Sequence, residues 1–280
     1  MPEIVHEQIQ LSLYIVEQAS YVSLNIVDQV YPHWVLSYVA CGDVVTSCCG
    51  ESWRARAGDV MIHPPQLPFS EQATGPGTHQ WLLLDAVTAR QIDLFQLYPV
   101  SPVVSLTRSI PFSAVFERLY ASWSDMSLPY RHIQVSADVL QMCCLVLESW
   151  RQGGSIPRSD ALLTPRDRFT DVIRYMSEHL AQKLTRDELA AQVYLHPGYF
   201  DRAFRHIYGI APMQMLRDLR LQEAQRLLET TDLSLQAISL QCGLSDAGYF
   251  SRVFRQRFGQ PPGTYRESTK SAKESYLHPL

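Results

Sequence analysis

GYFDRAFR occupies residues 198–205, and GYFSRVFR occupies residues 248–255. Six of the eight positions are identical, and the copies start fifty residues apart. Each copy follows a short apolar segment and a break, AAQVYLHPGYF (190–200) and SLQCGLSDAGYF (239–250). Each ends in glycine followed within a few residues by proline, YGIAP (208–212) and FGQPP (258–262). Glycine after a helix and proline at the start of the next are ordinary helix punctuation. The repeated unit is therefore helix, turn, helix. Two copies are too few for a solenoid, and paired helix-turn-helix units are a common solution for reading DNA.

The spacing separates two faces of the repeated helix. Phe200 and Phe204, like Phe250 and Phe254, stand one turn apart with Ala203 and Val253 beside them, which marks them as core. Gly198, Arg202 and Arg205 share another face, repeated by Gly248, Arg252 and Arg255. A small residue at a helix start lets backbone approach a phosphate or base edge, and an arginine one turn on can bond a guanine edge twice. The plainer reading is a pair of solvated arginines per helix, matched to local carboxylates such as Asp201. Recurrence in register on a helix-turn-helix frame favours DNA.

Outward from the repeat, the helical pattern extends over the last hundred or so residues. Thr185-Arg186-Asp187-Glu188 forms a capping box. Pro212 opens a long helix with Leu216, Leu219, Ala224, Leu227 and Leu228 inward. Ser234 and Asp246 are positioned as helix caps, and Gly209, Gly243 and Gly259 as breaks. The expected boundaries are 167–267 for this domain, 152–166 for a Gly- and Pro-containing linker and 268–280 for a polar tail. Residues 1–110 read instead as short strands, among them WVLSYVA (34–40), GDVMIH (58–63) and HQWLLLDAV (79–87), which suggests a sandwich or barrel. Residues 111–151 read as helices, with Phe112, Phe116, Leu119, Val139, Cys143 and Leu147 available for packing or for a dimer contact.

The 280-residue chain is 46% hydrophobic and 19% charged, enough apolar content for two packed domains. No apolar run is long enough to span a membrane. The opening MPEIVHEQIQ lacks the basic and apolar regions of a secretory signal, so a cytoplasmic location is expected. Six cysteines without a Cys-x-x-Cys fit reduced thiols, with the adjacent pairs 48/49 and 143/144 as the only hint of redox or metal chemistry. The formal charge is −4, but it is uneven. Residues 1–165 hold eight basic and fifteen acidic groups, whereas residues 166–267 hold fourteen basic and twelve acidic. Thirteen of those fourteen are arginine, the side chain suited to phosphate and guanine.

The stretch from Phe169 to Arg266 resembles the DNA-binding domain of the AraC/XylS regulators. RLQEAQRLLETTDLSLQAI (220–238) and CGLSDAGYFSRVFRQRFGQPPGTYR (242–266) carry the resemblance. It implies a seven-helix fold in which a central helix holds two recognition helices in successive major grooves. By resemblance, His196, Pro197, Gly198, Asp201 and Arg202 lie on the first reading edge, and Asp246, Ala247, Gly248, Ser251 and Arg252 on the second. Arg205 and Arg255 serve the phosphate backbone. Where the family has Glu-Ile-Ala in the second unit, this chain has Ala237-Ile238-Ser239, which removes a capping box.

The first half resembles the same family's cupin sensor, through HWVLSYVACGD (33–43) and AGDVMIHPPQLPF (57–69). The resemblance implies an α+β chain of two domains, a cupin-like β-barrel with trailing helices and an all-α double helix-turn-helix domain. His33, Trp34, Tyr38, Trp53, His63 and Trp81 are candidate pocket residues, since aromatic faces and imidazoles suit a sugar. No His-x-His, nucleophile elbow or phosphate loop is present, so no catalytic residue, cofactor or metal is expected. The expected partners are double-stranded DNA, a small-molecule effector, a second copy of the chain and, by family analogy, RNA polymerase, with no membrane. Two other readings stand beside this one: a DNA-binding regulator whose barrel serves only assembly, and a metal-dependent cupin enzyme.

Overall fold

The computed structural model describes residues 9–88, 92–107 and 109–277. The opening segment read above for a signal falls, except for its last two residues, outside the described part. The chain divides into two compact units, one spanning Gln8–Asp167 and the other including Arg168–Leu280.

In the first unit the strands are β1 (Ile9–Tyr21), β2 (Leu24–Gln29), β3 (Trp34–Cys41), β4 (Asp43–Cys48), β5 (Glu51–Arg56), β6 (Asp59–His63), β7 (Phe69–Ala73), β8 (Gly77–Thr88) and β9 (Val103–Ser105). Antiparallel pairing arranges them as β1-β8-β3-β6-β9 and β2-β7-β4-β5. These are two separate sheets packed as a sandwich, so the expected barrel is realised in open form. Residue alternation sends Val35, Val39, Met61 and Leu83 from the first sheet toward Val44, Ala55, Phe69 and Ala73 of the second. The opposite face of the first sheet carries Leu36, Tyr38, Leu82 and Leu84. Both faces of β3 are buried, which explains its unbroken apolar reading.

Helix α1 (Leu94–Leu97) is short. Helices α2 (Ser109–Ser124) and α3 (Arg131–Gln152) cover the outer face of the first sheet. Phe112, Phe116, Leu119, Val139 and Cys143 are buried there and Leu147 partly so, so intradomain packing consumes the side chains considered for a dimer contact.

The segment read as a linker is held down. Pro157 bridges Val100, and the Arg158 amide donates to Pro99 O at 2.9 Å. The buried Arg158 guanidinium donates to Phe95 O at 2.5 Å and to Asp167, and lies over the Trp34 ring. Ser159 Oγ donates to both Glu51 carboxylate oxygens at 2.8 and 2.9 Å. Leu162 joins the cluster of Val35 and Phe69. Glycine, proline and serine composition reports broken helix, not loose attachment, and this segment is packed along its length.

Seven helices make the second unit: α4 (Pro165–Glu178), which begins in the first, α5 (Arg186–Gln192), α6 (Pro197–Tyr208), α7 (Pro212–Thr230), α8 (Leu235–Gln241), α9 (Ala247–Phe258) and α10 (Pro262–Leu277). The last of these runs through most of the residues read as a polar tail. Thr185 and Glu188 make the reciprocal box at α5. Ser234 and Asp246 cap α8 and α9, and Gly209 and Gly259 end α6 and α9 at φ of 74° and 81°. Phe200, Phe204, Phe250 and Phe254 are fully buried. Phe169 of α4 packs on both phenylalanines of α6, at 5.7 and 5.6 Å.

The turns of the two repeats differ. Gly243 has φ of 64°, and a Cβ there would sit 2.0 Å from Leu180 O. Arg220 of α7 bonds that same carbonyl at 3.0 Å and Gln182 O at 2.6 Å. Only glycine fits this turn. In the first repeat the corresponding position is Tyr194, at φ of 55° with its side chain 97% exposed.

Candidate functional site

Local capping chemistry sets the starts of the two repeated helices. His196 precedes α6 and is exposed, and its Nδ1 accepts from the Gly198 amide at 3.2 Å. Asp246 does the same for α9, accepting from the Tyr249 amide at 2.7 Å. Pro197 and Ala247 are half-buried first-turn residues, and Gly198 and Gly248 follow them. A Cβ at Gly198 would make ordinary contact with His196, whereas one at Gly248 would press on the Asp246 cap at 3.1 Å.

Arg202, Arg205, Arg252 and Arg255 are all exposed. Among the described residues no side-chain hydrogen bond or ion pair holds these guanidinium groups, and Arg252 lies 5.6 Å over the Tyr249 ring. The plainer reading is solvated arginines matched to local carboxylates such as Asp201. Half-buried Asp201 instead stands 3.6 Å from Arg186. Ser251 is half-buried at the position matching Asp201. Each repeated helix therefore offers two unneutralised arginines, suited to phosphate and base edges, whereas the first-turn amides of α6 are taken up locally, Gly198's by His196 Nδ1 and Tyr199's by His196 O, and Pro197 has none. Helix α7 between the units has 19 residues, about 28 Å at 1.5 Å per residue, close to the ~34 Å repeat of the major groove.

The candidate pocket residues divide across the first sheet. Trp34 and Tyr38 face the helices: Trp34 packs on Phe95 at 5.2 Å, and Tyr38 packs on Phe112 at 4.9 Å while accepting from Ser113 Oγ. Trp53, His63 and Trp81 face the sandwich interior. At the end of β3 and β8, His33 Nδ1 lies 2.8 Å from Asp85, and its ring stacks on Tyr14 at 3.6 Å.

Between the apolar clusters of the interior runs a polar belt that sequence reading missed. Glu71 projects from the second sheet between two imidazoles of the first. Its Oε1 is 2.8 Å from His63 Nε2, and its Oε2 is 3.6 Å from His79 Nδ1. His79 Nε2 is 3.0 Å from the Tyr21 hydroxyl. Burial pushes the His79 imidazole below the usual histidine range, against the pull of Glu71. Thr46 is the register partner of Glu71 and shares its inward face. Its Oγ1 is fully buried without a hydrogen-bond partner. The imidazoles converge on the carboxylate rather than on a common point. Among the described residues no three His, Cys, Asp or Glu side chains could hold a metal ion. The available signal was the alternation of FSEQA (69–73), which puts Glu71 on the face of Phe69 and Ala73.

Residues 189–268 match the model of a helix-turn-helix domain, and residues 18–131 match that of an AraC-like ligand binding domain. The chain is 30% identical over 151 residues to the regulatory protein PocR of Salmonella typhimurium, a match covering 50% of each chain. It is 26% identical over 231 residues to the MmsAB operon regulatory protein of Pseudomonas aeruginosa, covering 80% of this chain and 71% of that one. The chain spans about half the length of PocR, and 34% of the Bacillus subtilis regulator YisR, to which it is 33% identical over 97 residues. Among solved structures, the DNA-binding domain of AdpA in complex with a target DNA matches with 34% identity and a TM-score of 0.37, covering 38% of this chain and 96% of that one. No helix among the described residues is long and apolar enough to cross a membrane.

Proposed function

The chain belongs to the AraC family, and from that premise we propose that it is a sequence-specific DNA-binding transcription regulator, not an enzyme. The observation that carries this reading is the repeated pair of exposed, unneutralised arginines on α6 and α9. Arg202 and Arg252 read bases, with His196, Pro197, Gly198, Asp201, Asp246, Ala247, Gly248 and Ser251 shaping the reading edges. Arg205 and Arg255 hold phosphates.

The sandwich interior holds the effector. Trp53, His63 and Trp81 supply aromatic and imidazole surface, while Glu71 and the unpartnered Thr46 hydroxyl supply hydrogen bonds. That set suits a small polar molecule such as a sugar. Binding shifts the balance between arrangements of the DNA-binding units. The regulator acts in the cytoplasm as a homodimer and meets RNA polymerase, in both respects by family analogy.

Selection from random double-stranded DNA, with the purified chain beside an Arg202→Ala/Arg252→Ala double variant, tests the DNA reading. A motif of two blocks about one helical turn apart is expected. Each single substitution should cost about 1–3 kcal/mol on that site and relax its base preference. Absence of enrichment at moderate salt, with and without a metabolite mixture, would overturn the assignment of these helices. A thermal-shift screen against sugars and other metabolites separates an effector-binding sandwich from one that serves only assembly, because a bound ligand raises apparent stability.

A further inference from the structure

Two pairs of adjacent cysteines occur in the chain, and the fold treats them differently. On α3, Cys143 is buried and Cys144 exposed, as successive helical residues pointing different ways must be. At the tip of the β4–β5 hairpin, Cys48 ends β4 opposite Glu51. Cys49 and Gly50 then form a two-residue turn with φ of 52° and 84°. Positive φ at both central residues is the mark of a type I′ turn. Within that turn the buried Cys48 thiol donates toward the exposed Cys49 sulfur, and the two Sγ atoms are 3.8 Å apart.

We propose that Cys48 and Cys49 form a dithiol site for monosubstituted trivalent arsenicals, both sulfurs binding one arsenic atom at the hairpin tip. A direct disulfide suits the pair poorly. Adjacent Cα atoms are about 3.8 Å apart, short of the roughly 4.4 Å at which ordinary disulfides begin. A single bridging atom needs far less contraction: two sulfurs each about 2.3 Å from one centre, at the near-right angle of pyramidal trivalent arsenic, stand roughly 3.3 Å apart, well beyond the ~2.05 Å of a disulfide bond. Zinc itself needs further ligands, and among the described residues no three His, Cys, Asp or Glu side chains are arranged to supply them. A monosubstituted arsenical brings its own third group.

The reaction is a condensation. An organoarsenic(III) dihydroxide meets two neutral thiols, two As–O bonds break and two As–S bonds form. The thiol protons leave on the hydroxides as two waters, and no oxidation state changes. Neutral thiols suit this site, because burial, reinforced by Cys49 and Glu51, pushes the Cys48 thiol up to about 12. A divalent metal ion would have to expel that proton. The site also adjoins the sandwich interior, since Cys48 is the register partner of Phe69, whose ring stacks on His63 at 3.8 Å.

The test uses the full-length chain, phenylarsine oxide as probe and intact-mass measurement in excess 2-mercaptoethanol, which strips single-thiol adducts. Wild type is expected to keep one phenylarsenic per chain and to lose two titratable thiols, with Cys144→Ser behaving identically. Cys49→Asn places a residue that the turn favours, so it should hold its melting temperature and lose the resistant adduct. Proteolytic mapping of the wild-type adduct should place it on the peptide containing both cysteines, whatever the variant's stability. An adduct undiminished in Cys49→Asn, mapped elsewhere, or absent from folded wild type overturns the proposal.

Discussion

Asp93 opens α1, where its carboxylate accepts from the Phe95 amide at 2.9 Å. The residue is buried, and burial pushes its carboxyl up to about 7. The Phe95 amide, Arg166 and Arg158 pull the other way, and Asp85 adds to the rise. The folded chain therefore holds this proton more tightly than an unfolded chain, whose aspartate titrates near 3.9. Its contribution to stability is fully present below about pH 4 and is lost as pH rises through about 7. The span is up to about 4 kcal/mol, at 1.36 kcal/mol per pKa unit. Asparagine keeps a capping oxygen and cannot ionise. Asp93→Asn is accordingly expected to be more stable than wild type at pH 8, with the gap closing toward pH 4. Urea unfolding of both proteins at pH 4, 6 and 8 measures it. A gap that stays constant across that range would show that Asp93 does not titrate in the fold.

The two helix-turn-helix units share a design but not a start. Helix α5 has both halves of its capping box, with the Thr185 amide donating to Glu188 Oε2 at 2.7 Å and Thr185 Oγ1 accepting in return. Helix α8 has one half: Ser234 Oγ accepts from the Ala237 amide at 3.1 Å, and Ala237 has nothing to send back. Ala237→Glu restores the second half and should stabilise the chain by roughly 0.5–1 kcal/mol. Glu188→Ala should cost a similar amount, with both read as shifts in urea midpoint. No gain from Ala237→Glu would mean that the Ser234 amide already has an equivalent partner in water. These helix ends were legible in the sequence because a cap lies within three residues of its partner. Strands β3, β6 and β8 were legible because their long apolar runs are buried. Strands β1, β2, β4, β5 and β7 lie within the region read as strands but were not delimited, since they mix serine, glutamine and charge into half-exposed faces. The belt around Glu71 was hidden for another reason: its contacts join facing sheets, and no local pattern reports which carboxylate meets which imidazole. For the same reason the anchoring of Arg158 behind a linker-like composition could not be foreseen.

At the scale of the whole molecule, the proposed DNA binding asks a chain with a formal charge of −4 to hold a polyanion through a few well-placed groups. The acidic excess lies in residues 1–165. The Arg168–Leu280 unit thus carries the attraction, and its exposed arginines on α6 and α9 are the natural source. Phosphate contacts act through counterion release, which gives a slope of log K against log salt of about −0.9 per phosphate on duplex DNA. Base contacts add little to that slope but set preference among sequences. Arg205 and Arg255, one turn farther along each helix than Arg202 and Arg252 and about two turns beyond Gly198 and Gly248, are the residues proposed to hold phosphates. Arg205→Ala and Arg255→Ala should each flatten the slope by about one and weaken matched and mismatched sites alike. Arg202→Ala and Arg252→Ala should leave the slope nearer its original value and close the gap between matched and mismatched sites. Fluorescence anisotropy titrations from 50 to 200 mM salt, on the selected site and on a scrambled duplex, separate the two behaviours. If Arg205→Ala narrowed the gap between sites while Arg202→Ala flattened the slope, the reading edge of α6 would be rotated about its axis, and the same exchange in α9 would show that the repeat carries one docking geometry twice.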